Sequence, residues 1–135
     1  MDIPKLIRPK GMTMGLTYVD LVLTNRFDAA RSITVRALVD TGTSNLVVTP
    51  AVANALGFDV EEARTINVRL ADGRRVKVPI IDPVVMQYKE FSYSSQAAVM
   101  ECEECLLGVV ALQGMMLKVN PYTHSLEYDP RTERV

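Results

Sequence analysis

Residues 37–44 form the most informative segment of the chain, and they read Ala37-Leu38-Val39-Asp40-Thr41-Gly42-Thr43-Ser44. An apolar run leads into a carboxylate where turn residues begin, so the pattern predicts a strand that ends in an acidic turn. A second short strand, 45–48, and a helix, 51–56, are predicted to follow. Thr49 suits the N-cap of that helix, and Gly57 suits its C-terminal end.

The segments on either side of this turn alternate between apolar and polar residues, as half-buried strands do. The alternation predicts three hairpins: 16–24 with 32–40 across a polar loop at 25–31, 65–70 with 75–78, and 115–119 with 125–128. A further short helix is predicted at 109–113. Strands 84–88 and 91–100 form another predicted pair. The sequence therefore predicts an all-β domain with one or two short helices.

Length and composition agree with one globular domain. The chain has 135 residues, of which 48% are hydrophobic and 23% charged, and this is close to the average for globular proteins. We predict an N-terminal arm at 1–13, a domain at 14–130 and a tail at 131–135.

Charge and hydropathy exclude some classes of partner. Fifteen Lys and Arg against sixteen Asp and Glu leave a net charge of −1, which argues against nucleic acid or an anionic membrane as a partner. No apolar run approaches the ~20 residues of a membrane-spanning helix. Residues 1–15 lack a signal-peptide pattern, so we expect a cytoplasmic location.

Three features, in this order, resemble the retropepsin-like aspartic proteases, which include retroviral proteases and their cellular and bacterial relatives. The segment 38–43 is similar to the active-site loop of that family. The hairpin at 70–78 lies where the family has its flap. Leu106-Leu107-Gly108 resembles the family's second element, two apolar residues and a glycine before a short helix.

The resemblance implies a barrel-like subunit that hydrolyses peptide bonds with an Asp-activated water and needs no metal or organic cofactor. It implies catalytic roles for Asp40, Thr41 and Gly42. Supporting roles fall to Thr43, Leu106, Leu107 and Gly108. The implied substrate-binding flap consists of Leu70, Ala71, Asp72, Gly73, Arg74 and Arg75.

The chemistry of this family needs two adjacent carboxylates, one charged and one protonated. The sequence contains a single Asp-Thr-Gly, so the active species is predicted to be a homodimer in which each subunit contributes Asp40. The resemblance implies that Thr41 bonds across the dimer axis. A hydroxyl at Thr43 that donates to the Asp40 carboxylate would stabilise its charged form, which predicts an acidic pH optimum.

Two other interpretations of the same residues stay open at this point. A dimer of this fold could bind peptides without cleaving them, and an unrelated small barrel could use Asp40 merely to cap a turn. Cys102 and Cys105 form a Cys-x-x-Cys, but His124 is the one histidine. Structural zinc usually takes four Cys or His ligands, so free thiols are favoured over a zinc shared between subunits.

Overall fold

The computed structural model describes residues 3–5, 16–70 and 72–133. These residues form nine strands, two short α-helices and a final 3₁₀ turn. In chain order the elements are β1 (Tyr18–Asn25), β2 (Asp28–Val39), β3 (Leu46–Val48), α1 (Pro50–Ala55), β4 (Thr65–Arg69), β5 (Arg75–Tyr88), β6 (Phe91–Val99), β7 (Cys105–Leu107), α2 (Val109–Gly114), β8 (Leu117–Asn120), β9 (Ser125–Tyr128) and the 3₁₀ turn (Pro130–Glu133).

Seven strands form one sheet that closes on itself. Their order is β1-β2-β7-β3-β6-β5-β4, and β1 also pairs with β5. This extra pairing places Leu23 opposite Met86 and closes β1, β2, β7, β3, β6 and β5 into a barrel. Strand β4 is attached to β5 alone. The predicted all-β class with two short helices is confirmed.

The short strand β7 occupies the centre of this arrangement. It runs parallel to β2, with Leu38 opposite Leu106, and antiparallel to β3, with Val47 opposite the same Leu106. A strand distant in sequence therefore separates β2 from β3, although only six residues of chain join these two strands.

Side-chain alternation divides the apolar residues into two clusters on opposite faces of the sheet. The larger cluster includes Leu21, Ala37 and Leu107 and continues into both helices and the β8–β9 hairpin. The smaller cluster contains seven buried residues: Leu38, Val47, Val78, Ile80, Ala98, Met100 and Leu106. We call this smaller set the apolar floor, because the β4–β5 hairpin packs over it.

Helix α1 begins and ends as its sequence predicts. Thr49 is the N-cap, and its hydroxyl oxygen accepts a hydrogen bond of 3.2 Å from the Val52 N–H. Pro50 opens the helix, Leu56 is the C-cap, and Gly57 follows with a φ of +80°, a conformation that glycine adopts without strain.

The predicted polar loop at 25–31 is wrong. The structure turns tightly at Arg26 and Phe27, and β2 starts at Asp28. The Asn25 side chain stabilises this turn, because its Oδ1 accepts from the Phe27 N–H at 3.0 Å. Residues 28–32 therefore form the exposed start of β2, where polar residues do not indicate a loop.

The prediction of separate strands at 75–78 and 84–88 is also wrong, because β5 runs unbroken from Arg75 to Tyr88. Pairing with β6 shifts register between Ile81 and Val84, so Asp82 and Pro83 form a bulge within one strand. A proline is compatible with a strand at such an irregularity.

The chain termini are described in part. The Pro4 carbonyl accepts a hydrogen bond of 2.8 Å from the Glu101 N–H, which attaches residues 3–5 to the chain beyond β6. The rest of the predicted arm, 1–2 and 6–13, and the last two residues of the predicted tail lie outside the described residues. Within the part of the chain that the structure describes, no helix is long and apolar enough to cross a membrane.

Replacing Thr49 with alanine removes the N-cap acceptor of α1, so we expect the free energy of unfolding to fall by about 1 kcal/mol. Thr49→Ser keeps the acceptor and is the matched control. Urea denaturation followed by circular dichroism measures both variants. Equal losses in the two would show that the methyl group of Thr49, rather than its hydroxyl, stabilises this helix.

Candidate active site

Asp40 directly follows β2, where its backbone is attached to β7. Its N–H donates a 3.0 Å hydrogen bond to the Leu107 carbonyl, so the turn begins from a fixed point. The residue is half-buried, whereas Thr41 and Gly42 are exposed. The carboxylate thus lies at the sheet surface and is reachable from outside this single chain.

The turn itself orients the carboxylate. Gly42 N–H donates to Asp40 Oδ1 at 3.0 Å, and Thr43 N–H donates to the Asp40 carbonyl at 3.2 Å. A Cβ on Gly42 would lie 3.2 Å from Oδ1, a tight contact that the bare glycine avoids. The Gly42 N–H therefore orients the acidic side chain, and the Thr43 N–H closes the backbone turn.

The predicted second element, Leu106 to Gly108, lies directly against this turn. Beyond β7, Val109 N–H donates to the Thr43 carbonyl at 2.9 Å, and Val110 N–H donates to the Ser44 carbonyl at 3.3 Å. The structure thus brings together the two motifs that the sequence separates by more than sixty residues.

Gly108 makes this contact possible. A Cβ on Gly108 would lie 2.6 Å from the backbone oxygens of Ser44 and Asn45, closer than unbonded atoms approach. Backbone atoms cannot rotate away as a side chain can, so the position requires glycine.

The β4–β5 hairpin carries the residues predicted to bind substrate. Arg69 lies opposite Arg75, and Leu70 N–H donates to the Arg74 carbonyl at 2.8 Å. Gly73 has a φ of +88°, which confirms a tight turn at the Asp-Gly pair. Ala71 lies outside the described residues.

The two faces of this hairpin differ in character. Ile66, Val68, Leu70 and Val76 are half-buried and pack against the apolar floor. The charged residues of the hairpin are exposed. The hairpin thus presents its apolar face to the sheet that carries Asp40.

Leu38, two residues before Asp40, lies in the apolar floor. Because side chains alternate along a strand, the floor is on the face of the sheet toward which position 40 also points. For six apolar residues, the sequence does not tell which ones face the groove over Asp40. Three of them, Leu70, Val76 and Ile80, belong with the apolar floor. The other three, Val39, Leu46 and Ile81, pack in the larger cluster. Sequence reasoning missed Val47, Ala98 and Met100, whose place depends on pairings between distant strands.

The two cysteines are free. Burial raises the pKa of Cys102 to about 12, with smaller contributions from Cys105 and two nearby glutamates. Burial also raises the pKa of Cys105. Both groups are therefore thiols at neutral pH, whereas nucleophilic attack needs the thiolate. No group of three or more His, Cys, Asp or Glu residues suited to a metal ion occurs in ranges 3–5, 16–70 and 72–133.

Three solved structures similar to this chain are aspartic proteases or a domain like them. A retropepsin-like aspartic protease from Rickettsia conorii matches with a TM-score of 0.61 and 18% identity, over 87% of this chain and 82% of that chain. The retroviral protease-like domain of Ddi1 from Leishmania major matches with a TM-score of 0.58 and 18% identity, over 85% and 89% of the two chains. The EIAV protease, complexed with the inhibitor HBY-793, matches with a TM-score of 0.54 and 19% identity, over 79% and 92%.

The fold is therefore that of the retropepsin-like aspartic proteases, as the resemblance implied. A family model described as "gag-polyprotein putative aspartyl protease" matches residues 30–114, a range that includes the Asp40 turn, the β4–β5 hairpin and β7. The chain belongs to this gag-polyprotein aspartyl protease family. No curated protein sequence matches it.

We expect Gly108→Ala to destabilise the fold by about 1–3 kcal/mol, because the added methyl group overlaps the backbone of the Asp40 turn. Thermal and urea denaturation measure the loss. Ser44→Ala is the matched control, since it alters the neighbouring exposed residue without adding an atom to the contact. A variant as stable as the unchanged chain would contradict the close approach of the two motifs.

Proposed function

We propose that this chain is an aspartic endopeptidase that cleaves peptide bonds at a dyad of two Asp40 side chains, one from each subunit of a homodimer. The observation that carries the proposal is the Asp-Thr-Gly turn, with its carboxylate oriented by the Gly42 N–H at 3.0 Å, in a member of an aspartyl protease family.

The need for two chains follows from the chemistry. One carboxylate must take a proton from water while a second, protonated carboxylate donates to the scissile carbonyl. The sequence has one Asp-Thr-Gly, and a two-fold axis supplies the second as an identical copy. Two adjacent carboxylates share one proton because both cannot be charged at close range.

The proposed reaction balances its protons within the dyad. The charged Asp40 takes a proton from a water molecule, whose oxygen bonds to the carbonyl carbon of the substrate. The protonated Asp40 gives its proton to the carbonyl oxygen, and a tetrahedral diol forms. The C–N bond then breaks as the nitrogen receives a proton from the protonated carboxyl group and a diol hydroxyl gives its proton to the charged one. A free amine and a free acid result, and the dyad again holds one proton.

The β8–β9 hairpin is the proposed dimer contact. Among the described residues β9 pairs with β8 alone, so its other edge has backbone groups available for a strand from a second copy. Tyr128 on β9 stacks on Phe91, with ring centroids 6.2 Å apart, and is 40% exposed. Burial of this face in a dimer would add apolar contact.

The β4–β5 hairpin is the proposed flap. In this proposal it lifts from the apolar floor, admits an extended peptide and closes on it, which excludes water from the dyad. Its half-buried inner residues, Val68, Leu70 and Val76, would then contact apolar side chains of the substrate in place of the floor.

Asp40→Asn should abolish peptide cleavage, with a loss of at least about 100-fold, because the amide cannot accept a proton from water. The test incubates both forms with a diverse peptide library between about pH 4 and pH 7, the range in which carboxyl dyads titrate, and reads the products by mass spectrometry. Specific activity should also rise with protein concentration, as a dimeric site requires.

Analytical ultracentrifugation at the same concentrations is the control for assembly. A folded dimer without Asp40-dependent cleavage at any pH would contradict the enzyme proposal and favour a peptide-binding scaffold of the same fold. A monomer that cleaves with constant specific activity would instead contradict the shared dyad.

Thr43→Ala should move the pH optimum of cleavage upward by about half a unit to one unit, if the Thr43 hydroxyl donates to the charged dyad in the assembled site. The substitution should leave the fold intact, because the contacts of Thr43 with Asp40 and Val109 use its backbone. Thr43→Ser keeps the hydroxyl and should keep the wild-type profile. An unchanged profile for the alanine variant would rule out this role.

A further inference from the structure

The outer face of the β4–β5 hairpin carries a group of cations that the proposed catalytic chemistry does not use. Arg69 lies opposite Arg75, and Lys77 lies opposite Asn67. Residues two apart on a strand share a face, as do residues paired across a ladder. Arg69, Arg75 and Lys77 therefore share one face, where all three are exposed. We call them the cationic strip.

The cationic strip has no counter-ion within the described chain. None of its three members forms an ion pair there, and the one acid of the hairpin is already engaged. That acid, Asp72, accepts from Arg74 Nε at 2.6 Å and from the Arg74 N–H at 2.9 Å. Like charges directly opposite on a ladder repel one another, so the strip carries unneutralised positive charge.

The strip points away from the apolar floor. Residues of the opposite face, such as Ile66 and Val76, pack on that floor, so the cations lie on the solvent side of the proposed flap. The remaining residues of the outer face, Thr65, Asn67 and Pro79, are uncharged. A peptide that contacts the strip must therefore lie outside the groove between hairpin and sheet.

We propose that the cationic strip is a docking surface for an extended acidic segment of a polypeptide substrate. That the bound segment belongs to a substrate rests on the proposed function, whereas the binding of an acidic segment to the strip does not. Arg75 and Lys77 are two residues apart on one strand, a spacing of about 6.6–6.8 Å. An extended peptide with acidic residues at alternate positions has the same spacing, and a guanidinium can bind a carboxylate through two parallel hydrogen bonds.

Single-stranded nucleic acid fits the strip less well than an acidic peptide. Proteins that bind single strands combine basic residues with aromatic side chains on which bases stack, and the outer face has no aromatic residue.

The test measures binding to the catalytically silent Asp40→Asn chain by fluorescence anisotropy. The probes are three labelled peptides of equal length with Glu, Gln or Lys at alternate positions, and an oligothymidine of matched charge. The variant R69Q/K77Q removes two charges from the strip. R26Q/K89Q removes two exposed charges from the turns at the other hairpins and is the matched control.

We expect the Glu peptide to bind about tenfold more tightly than the Gln peptide, and R69Q/K77Q to lose most of that difference while R26Q/K89Q keeps it. Raising salt from about 50 to about 200 mM should weaken binding of the Glu peptide. Equal binding of the Glu and Gln peptides, equal losses in both variants, or tighter binding of the oligothymidine would each overturn the proposal.

A cleavage assay separates this proposal from the enzyme proposal. If the wild-type chain shows no Asp40-dependent cleavage while the Glu peptide still binds through the strip, the docking surface stands and the protease activity fails. If cleavage occurs but acidic segments give no advantage in kcat/KM, the activity stands and the docking surface fails.

Discussion

The contact between the Asp40 turn and the segment 107–110, which runs from the end of β7 into α2, is the constraint on which the candidate site depends. Three backbone hydrogen bonds join the two segments, from Asp40 to Leu107, Val109 to Thr43 and Val110 to Ser44. Gly108 permits the contact, since a Cβ there would meet backbone oxygens at 2.6 Å. Because main-chain groups make these bonds, the position of the Asp40 turn on the sheet depends little on which side chains the bonded residues carry. A sheet in which β7 lay at an edge could not hold the turn in this way.

The two faces of the sheet carry apolar clusters of different size. The larger cluster joins the barrel to both helices and to the β8–β9 hairpin, and its burial supplies most of the hydrophobic stabilisation. The apolar floor is smaller, and the β4–β5 hairpin covers it. A cover that packs on few residues can open at lower cost than the core can. If the hairpin opens as proposed, the surface around Leu38 that it now buries would become available to a ligand.

Charge is distributed unevenly over a chain whose net charge is only −1. Arg69, Arg75 and Lys77 lie together on the outer face of the hairpin, and the acidic residues are elsewhere, apart from Asp72, which binds Arg74. Overall composition argues against long-range attraction of polyanions, but it says nothing about such a local surface. The register of β4 and β5 shows this surface, because it places Arg69 directly opposite Arg75, with Lys77 on the same face.

Local patterns were sufficient for the Asp-Thr-Gly turn, the capped helix α1 and the Asp72-Gly73 hairpin, since each depends on residues within a few positions of one another. Local patterns also misled: the polar residues at 28–32 belong to β2, and Asp82-Pro83 bulges β5 without ending it. Ile80 faces the apolar floor and Ile81 faces the larger cluster. Both are apolar, so the sequence does not tell which of them faces which side of the sheet. The insertion of β7 between β2 and β3 was decided by tertiary structure alone, because pairing Leu38 with Leu106 depends on how the whole barrel closes.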